Sequence, residues 1–203
     1  MKSIVAINTS PRSEGNTAMA VKYFMDSIKE DNKAAYYDLN EYTIGYCNGE
    51  LKCEKFGRCT QKDDWQIIEE DLYEANVIII GTPVFMGHEV AQFKTFLERC
   101  RSFLSYIEAI DPTCNSIKEL FEKHSNLRDN WPEPISRIKK HPEVNIIITQ
   151  SQPDKRKHTD LILYLEEIIS KVFNTKNVNV YVLTSKLNKD DFEKGKDFWR
   201  FEK

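Results

Sequence analysis

Short apolar runs recur along this chain, with helical spacing of apolar residues between them. Residues 4–7 are apolar throughout, the pattern of a central strand buried on both faces. Residues 18–29 follow with Met19, Val21, Phe24, Met25 and Ile28 at helical spacing. A second strand is predicted over 34–39, and a helix over 65–75 with Asp63 or Asp64 as its cap and Ile67, Ile68 and Leu72 on one face. Val77 to Ile80, ended by Gly81, is the clearest strand. A helix over 90–101 turns Val90, Phe93, Phe96, Leu97 and Cys100 inward, and further strands are expected over 144–149 and 178–183 with a long helix, 160–173, between them. Strands alternating with helices give a doubly wound α/β fold, a three-layer sandwich around a five-stranded parallel sheet.

Right-handed crossovers place helices on both faces of such a sheet, and ligands bind beyond the carboxyl ends of its strands. The loops starting near Asn8, Gly81 and Thr149 should therefore converge. Residues 1–203 read as one domain with two segments outside the alternation. Segment 41–64 holds three of the five cysteines, and 102–143 is longer than an ordinary helix–strand connection. The latter contains a helical piece from 117 to 124 and Trp131; it either covers the site, builds a dimer or is peripheral. A short helix is expected over 190–203.

The first loop carries the most chemistry. Ser10, Ser13, Asn16 and Thr17 can bond phosphate oxygens, and Arg12 adds a cation at the positive end of a helix. The same residue types also cap helices, so an ordinary strand–helix turn capped by Asn16 or Ser13 stands beside the phosphate reading. The loop is neither G-x-G-x-x-G nor a P-loop, which lack of Gly-Lys-Ser/Thr argues against triphosphate hydrolysis. In the third-strand loop, Pro83, Val84, Phe85, Met86 and Gly87 offer a stiff apolar surface for a ring system; the alternative is a turn whose Phe85 packs on the core. His88 beside it is given no role.

Net charge of −3 and a pI near 5.9 argue against a nucleic-acid partner, and no run approaches a membrane span. An odd cysteine count and no export signal point to reduced thiols in the cytoplasm.

Ser10 to Thr17, Asp63-Asp64-Trp65, Gly81 to Phe85 and Gln92 to Arg99 together resemble the flavodoxin-like NADPH-dependent FMN reductase family, on the side of its iron–sulfur flavoproteins. The likeness is strong in the first half of the chain and rests on element order in the second. It implies FMN with its phosphate at Ser10, Arg12, Ser13, Asn16 and Thr17 and its ring against Pro83, Val84, Phe85, Met86 and Gly87. Gln150 and Ser151 stand at the ring edge. It also implies NAD(P)H as donor, a small-molecule electron acceptor such as a flavin or quinone, and a homodimer or homotetramer. An electron carrier serving a protein partner, or a flavin-free binding module, are the alternatives.

Three positions depart from the family pattern. Thr9 stands where glycine is common, Phe85 where tyrosine is, and the loop from Thr149 to Pro153 lacks glycines. Cys47, Cys53 and Cys59 are spaced C-x5-C-x5-C, which argues against an iron–sulfur cluster with four thiolates and against a zinc site built on close cysteine pairs.

Overall fold

The computed structural model describes residues 1–129, 131–184 and 199–200. Its strands are β1 (Ser3–Asn8), β2 (Lys33–Asp38), β3 (Val77–Phe85), β4 (His88–Glu89), β5 (Leu104–Ser105), β6 (Ile135–Ser136), β7 (Glu143–Gln150), β8 (Val178–Thr184) and β9 (Trp199–Arg200). The helices are α1 (Asn16–Ile28), α2 (Cys53–Phe56), α3 (Trp65–Glu74), α4 (Ala91–Arg99), α5 (Tyr106–Ile110), α6 (Ile117–Lys123) and α7 (Thr159–Val172).

Five parallel strands run in the order β2-β1-β3-β7-β8, and β9 adds an antiparallel edge on β8. Chain direction across the sheet reverses at β1, whose two neighbours are β2 and β3. That is the switch point where a crevice opens beyond the strand ends. Alternate residues of each central strand feed two cores. Val5, Ile7, Ile78, Ile80, Ile146 and Ile148 face α3, α4 and α7. Ile4, Ala6, Val77, Ile79 and Ile147 face α1. Burial on both faces explains why these strands read as unbroken apolar runs rather than alternating ones.

Gly81 sets how closely α1 lies on the sheet. A Cβ there would stand 2.3 Å from Val21 Cγ2 and 2.9 Å from Thr17 Cγ2, inside van der Waals contact. Here β3 does not end at the glycine, as the sequence suggests, but runs on to Phe85 beside β7. Asn8 opposite Gly81 is the last β1 pair, so Pro83 lies where β1 no longer needs a donor.

The alternation of elements matches expectation, as does Asp64 as the cap residue of α3, and two details differ. Ile67 is half exposed instead of lying on the buried face of α3 with Ile68 and Leu72. Asp64 is the cap residue of α3 without a side-chain bond, while Asp63 accepts the Trp65 N–H at 3.1 Å. Of the helix expected over 190–203, only 199–200 are described, and they form a strand; the remainder lies outside the described residues. Segment 102–143 has its own small core of Ile107, Cys114, Leu120 and Leu127, with Trp131 stacked on Phe121 at 4.8 Å.

Gly81→Ala should destabilise the fold by roughly 1–3 kcal/mol, because stiff β-branched Val21 and Thr17 leave no easy escape for the added methyl. Urea denaturation reads this directly, and an unchanged midpoint would mean that α1 sits farther from β3 than described.

Candidate functional site

The first loop is organised from within and from two neighbouring strands. Asn8 Oδ1 accepts the Ser10 N–H at 3.1 Å, and Ser10 Oγ accepts the Arg12 N–H at 3.2 Å. Asn40, just past β2, donates to the Ser10 carbonyl at 2.8 Å and to Ser13 Oγ at 3.2 Å. Thr9 donates both its N–H and its hydroxyl to the Gly81 carbonyl, at 3.0 and 2.8 Å. The departure at Thr9 is thereby accommodated: its side chain is buried in a bond to β3 and does not line the cleft.

Helix α1 begins at Asn16 with Gly15 as its cap residue and no side-chain capping bond. Neither Asn16 nor Ser13 caps it, so the capping alternative fails. A Cβ on Gly15 would sit 3.0 Å from Arg12 Cβ and 3.3 Å from the Arg12 carbonyl oxygen, which ties the glycine to the tightness of this turn. The result is a long helix whose positive end opens on hydroxyls, an amide and a guanidinium.

These groups form one wall of a cleft of about 520 Å³. Ser10, Arg12, Asn16 and Thr17 lie on that wall, Pro83, Val84 and Phe85 on another, and Thr149, Gln150 and Ser151 on the third. Nine of the sequence-predicted residues thus meet in one cleft, which Gly15 and Thr149 also line. Met86 and Gly87 occupy an adjoining recess of about 220 Å³ that shares Val84, Gln150 and Ser151 with the cleft and has Lys157 and His158 at its edge. Ser13 does not line either space; it is bonded to Asn40.

Phe85 pairs with His88 across a two-residue turn in which Met86 and Gly87 both have positive φ, +52° and +84°. That turn matches the twist of the β3–β4 hairpin, but it puts a methionine where asparagine or glycine is usual. Met86 is fully exposed at the tip and Phe85 half exposed beside it. Phe85 therefore does not pack on the core, against the alternative raised by the sequence.

Sequence reasoning missed Gly15, Asn40 and Thr149. Thr149 is the penultimate residue of β7, and its hydroxyl lies 2.6 Å from the Thr17 hydroxyl. No local signal marks this contact, because the partners are 132 residues apart. Gln150, expected at a ring edge, lines the cleft, and its Nε2 holds its own loop through the Gln152 and Asp154 carbonyls, at 3.1 and 2.7 Å. Its buried Oε1 has no partner among the described residues.

A second charged region surrounds the cysteines. Arg99, 1% exposed, donates to both Asp63 oxygens, to the Gly45 carbonyl at 2.8 Å and to Cys59 Sγ at 3.2 Å. Glu54, also buried, accepts from Arg101, from Ser105 Oγ at 3.0 Å and from the Tyr106 and Ile107 N–H groups. Arg137 bonds the carbonyls of Cys53 and Glu54, at 3.1 and 2.7 Å. Burial pushes the Cys53 thiol above its ordinary value. Among the described residues no three His, Cys, Asp or Glu side chains gather as a metal site.

A five-stranded parallel sheet in this order, with a cleft at its switch point, defines the flavodoxin-like class of reductase folds. The chain belongs to the NADPH-dependent FMN reductase family, whose model matches residues 2–121. It is 36% identical over 107 residues to an iron-sulfur flavoprotein of Methanocaldococcus jannaschii, covering 50% of this chain and 52% of that protein. It is 33% identical over 105 residues to one of Clostridioides difficile strain 630, covering 50% and 47%. The chain thus spans about half the length of the curated relatives it matches. In fold it is similar to an NAD(P)H:quinone oxidoreductase from Methanothermobacter marburgensis, with a TM-score of 0.64 at 13% identity over 94% of this chain and 90% of that one. Among the described residues no helix is long and apolar enough to cross a membrane.

Burial opposes the charge on Asp63, yet hydrogen bonds from Arg99 and from the Gly45 and Trp65 N–H groups outweigh it and hold the carboxyl below its ordinary value. A depressed folded-state pKa contributes stability that is present above the ordinary carboxylate range and lost as pH falls through the lowered value. Asp63→Asn should therefore lower the melting temperature at neutral pH by several degrees, with the gap to wild type narrowing below about pH 4. A gap that stays constant on acidification would show that Asp63 contributes no charge.

Proposed function

We propose that this protein is an FMN-dependent oxidoreductase that takes electrons from NAD(P)H and passes them to a small acceptor such as a quinone or a free flavin. The observation that carries the reading is the uncapped N-terminus of α1, opening into a cleft between polar and apolar walls at the sheet's switch point. The residues present fit the cofactor. Hydroxyls, an amide and a guanidinium surround a positive helix end, the chemistry a phosphomonoester needs. Pro83, Val84 and Phe85 offer the apolar face that an isoalloxazine needs.

In this reading Ser10, Asn16 and Thr17 hold the phosphate, with Arg12 as the exposed cation at the mouth. Thr149 orients the Thr17 hydroxyl: once Thr17 donates outward, Thr149 must donate to it across their 2.6 Å contact. The hairpin tip excludes water from one side of the ring through Phe85 and Met86. Gln150 and Ser151 face the polar edge, where an acceptor oxygen such as Gln150 Oε1 suits an N–H donor. When bound, FMN supplies hydride acceptance and electron release, and the protein contributes binding, orientation and dipoles. The recess edged by Lys157 and His158 is the place for the phosphate-bearing donor to approach. Residues 1–203 act as one domain in the cytoplasm, paired as a homodimer or homotetramer that covers the exposed Phe85 and Met86.

An absorbance spectrum of the purified protein, followed by NAD(P)H oxidation with and without a quinone, tests the reading. Flavin bands together with acceptor-dependent turnover are expected. Flavin bands without turnover would instead favour an electron carrier, and failure to take up added FMN would leave a flavin-free module.

Thr17→Ala and Thr149→Val should each weaken FMN by about tenfold, the worth of one hydrogen bond to a charged group, while leaving riboflavin affinity nearly unchanged. Fluorescence titrations with the two flavins separate the outcomes. Equal losses for both would place these hydroxyls away from the phosphate.

A further inference from the structure

We infer that the cysteine segment of this chain is closed by an arginine clamp in place of an iron–sulfur cluster, so that the protein stores electrons at one centre only. The relatives' names raise the question of a cluster, and the donor set here argues against one. A four-iron cluster takes four thiolates. Cys100 is sealed in the main core, and Cys114 belongs to the separate core of segment 102–143, bonded to Asp111. Only Cys47, Cys53 and Cys59 remain; among the described residues they do not gather as a metal site, and Cys59 is already engaged by Arg99.

Its partner is the observation that carries the inference. Arg99 reaches Cys59 Sγ at 3.2 Å with the same guanidinium nitrogen that bonds Asp63 at 3.0 Å. Arg99 is also seated over the Trp65 ring at 5.5 Å, and its other terminal nitrogen bonds the Gly45 carbonyl. One buried cation therefore joins the beginning of the segment at Gly45, its end at Asp63 and the sulfur of Cys59. Cys59 is held from its backbone as well, through its N–H on Glu69. At the other side, Arg137 grips the Cys53 carbonyl, and the neighbouring Glu54 is bound to Arg101. Drawing Cys59 toward a metal core would take its sulfur from the buried Arg99 guanidinium, and moving Cys53 would disturb the Arg137 bond to its carbonyl. The clamp fastens the loop ends as a cluster would, with no metal.

The test starts from the native protein, prepared anaerobically and then incubated with iron, sulfide and dithiothreitol before desalting. Iron and acid-labile sulfide should remain well below one per chain, and the melting temperature should be the same with and without a chelator. Arg99→Met should lower that temperature, whereas Cys47→Ser should not. About four irons and four sulfides per chain, with broad visible absorbance abolished in Cys59→Ser, would overturn the inference whatever supplies the fourth ligand. These readouts need no flavin, so they stand or fall apart from the proposed reductase activity. Where FMN is present, reductive titration adds a second check: two electron equivalents per chain are expected, and a third would count against the clamp.

Discussion

The contact between α1 and β3 at Gly81 is the constraint on which the rest of the site depends. A missing side chain lets Val21 and Thr17 settle directly on the strand, and this fixes where the helix begins relative to the strand ends. The same residue's carbonyl receives two bonds from Thr9, so the loop leaving β1 is tied to the strand that α1 packs against. Loop, helix end and strand are thus referred to one backbone position. A hydroxyl wall that moved relative to the Pro83–Phe85 wall would no longer enclose a single molecule.

The two regions of the protein use charge in opposite ways. At the cleft, the polar groups have few partners of their own: the helix end is uncapped and Gln150 keeps an unsatisfied oxygen. Around segment 41–64 the charges are consumed by one another, with Arg99, Glu54 and Arg137 each bonded several times. Preorganised groups left open are what ligand binding requires, whereas buried groups bonded to one another rigidify. Both terminal nitrogens of the Arg99 clamp are bonded, and of its guanidinium Nε alone has no partner among the described residues. The contrast separates a place for binding from a place for support without reference to any relative.

The layers of the fold were legible because strands buried on both faces leave unbroken apolar runs and the helices between them repeat at 3.6 residues. The cleft was legible as far as local composition marks it: Ser10, Arg12, Asn16 and Thr17 stand together in one loop, and Pro83 to Phe85 in another. What composition does not encode is who uses a side chain once the chain folds. Ser13 stands in the same loop but is bonded to Asn40 and lines no part of the cleft, and Gln150 lines the cleft while its Nε2 secures its own loop. Thr9 reads as a departure from a glycine pattern, yet its hydroxyl found a carbonyl on β3. The end of β3 was placed too early because glycine usually stops a strand; here it admits a helix. Ile67 was misplaced because a helix of this length has more apolar residues than one face can bury.

The hydroxyl pair at Thr17 and Thr149 has a consequence for how the cleft comes into being. One partner lies in the first turn of α1 and the other at the end of β7, in the middle of the sheet between β3 and β8. The part of the chain that carries the family match, residues 2–121, ends before that strand begins. A nascent chain of that length already holds both loops that mark the family, but it has no third wall. Closing so long a separation costs more chain entropy than forming a local helix or the β1–β2 pair. The cleft is therefore complete only in a chain in which β7 has joined β3, so its formation depends on pairing across the middle of the sheet.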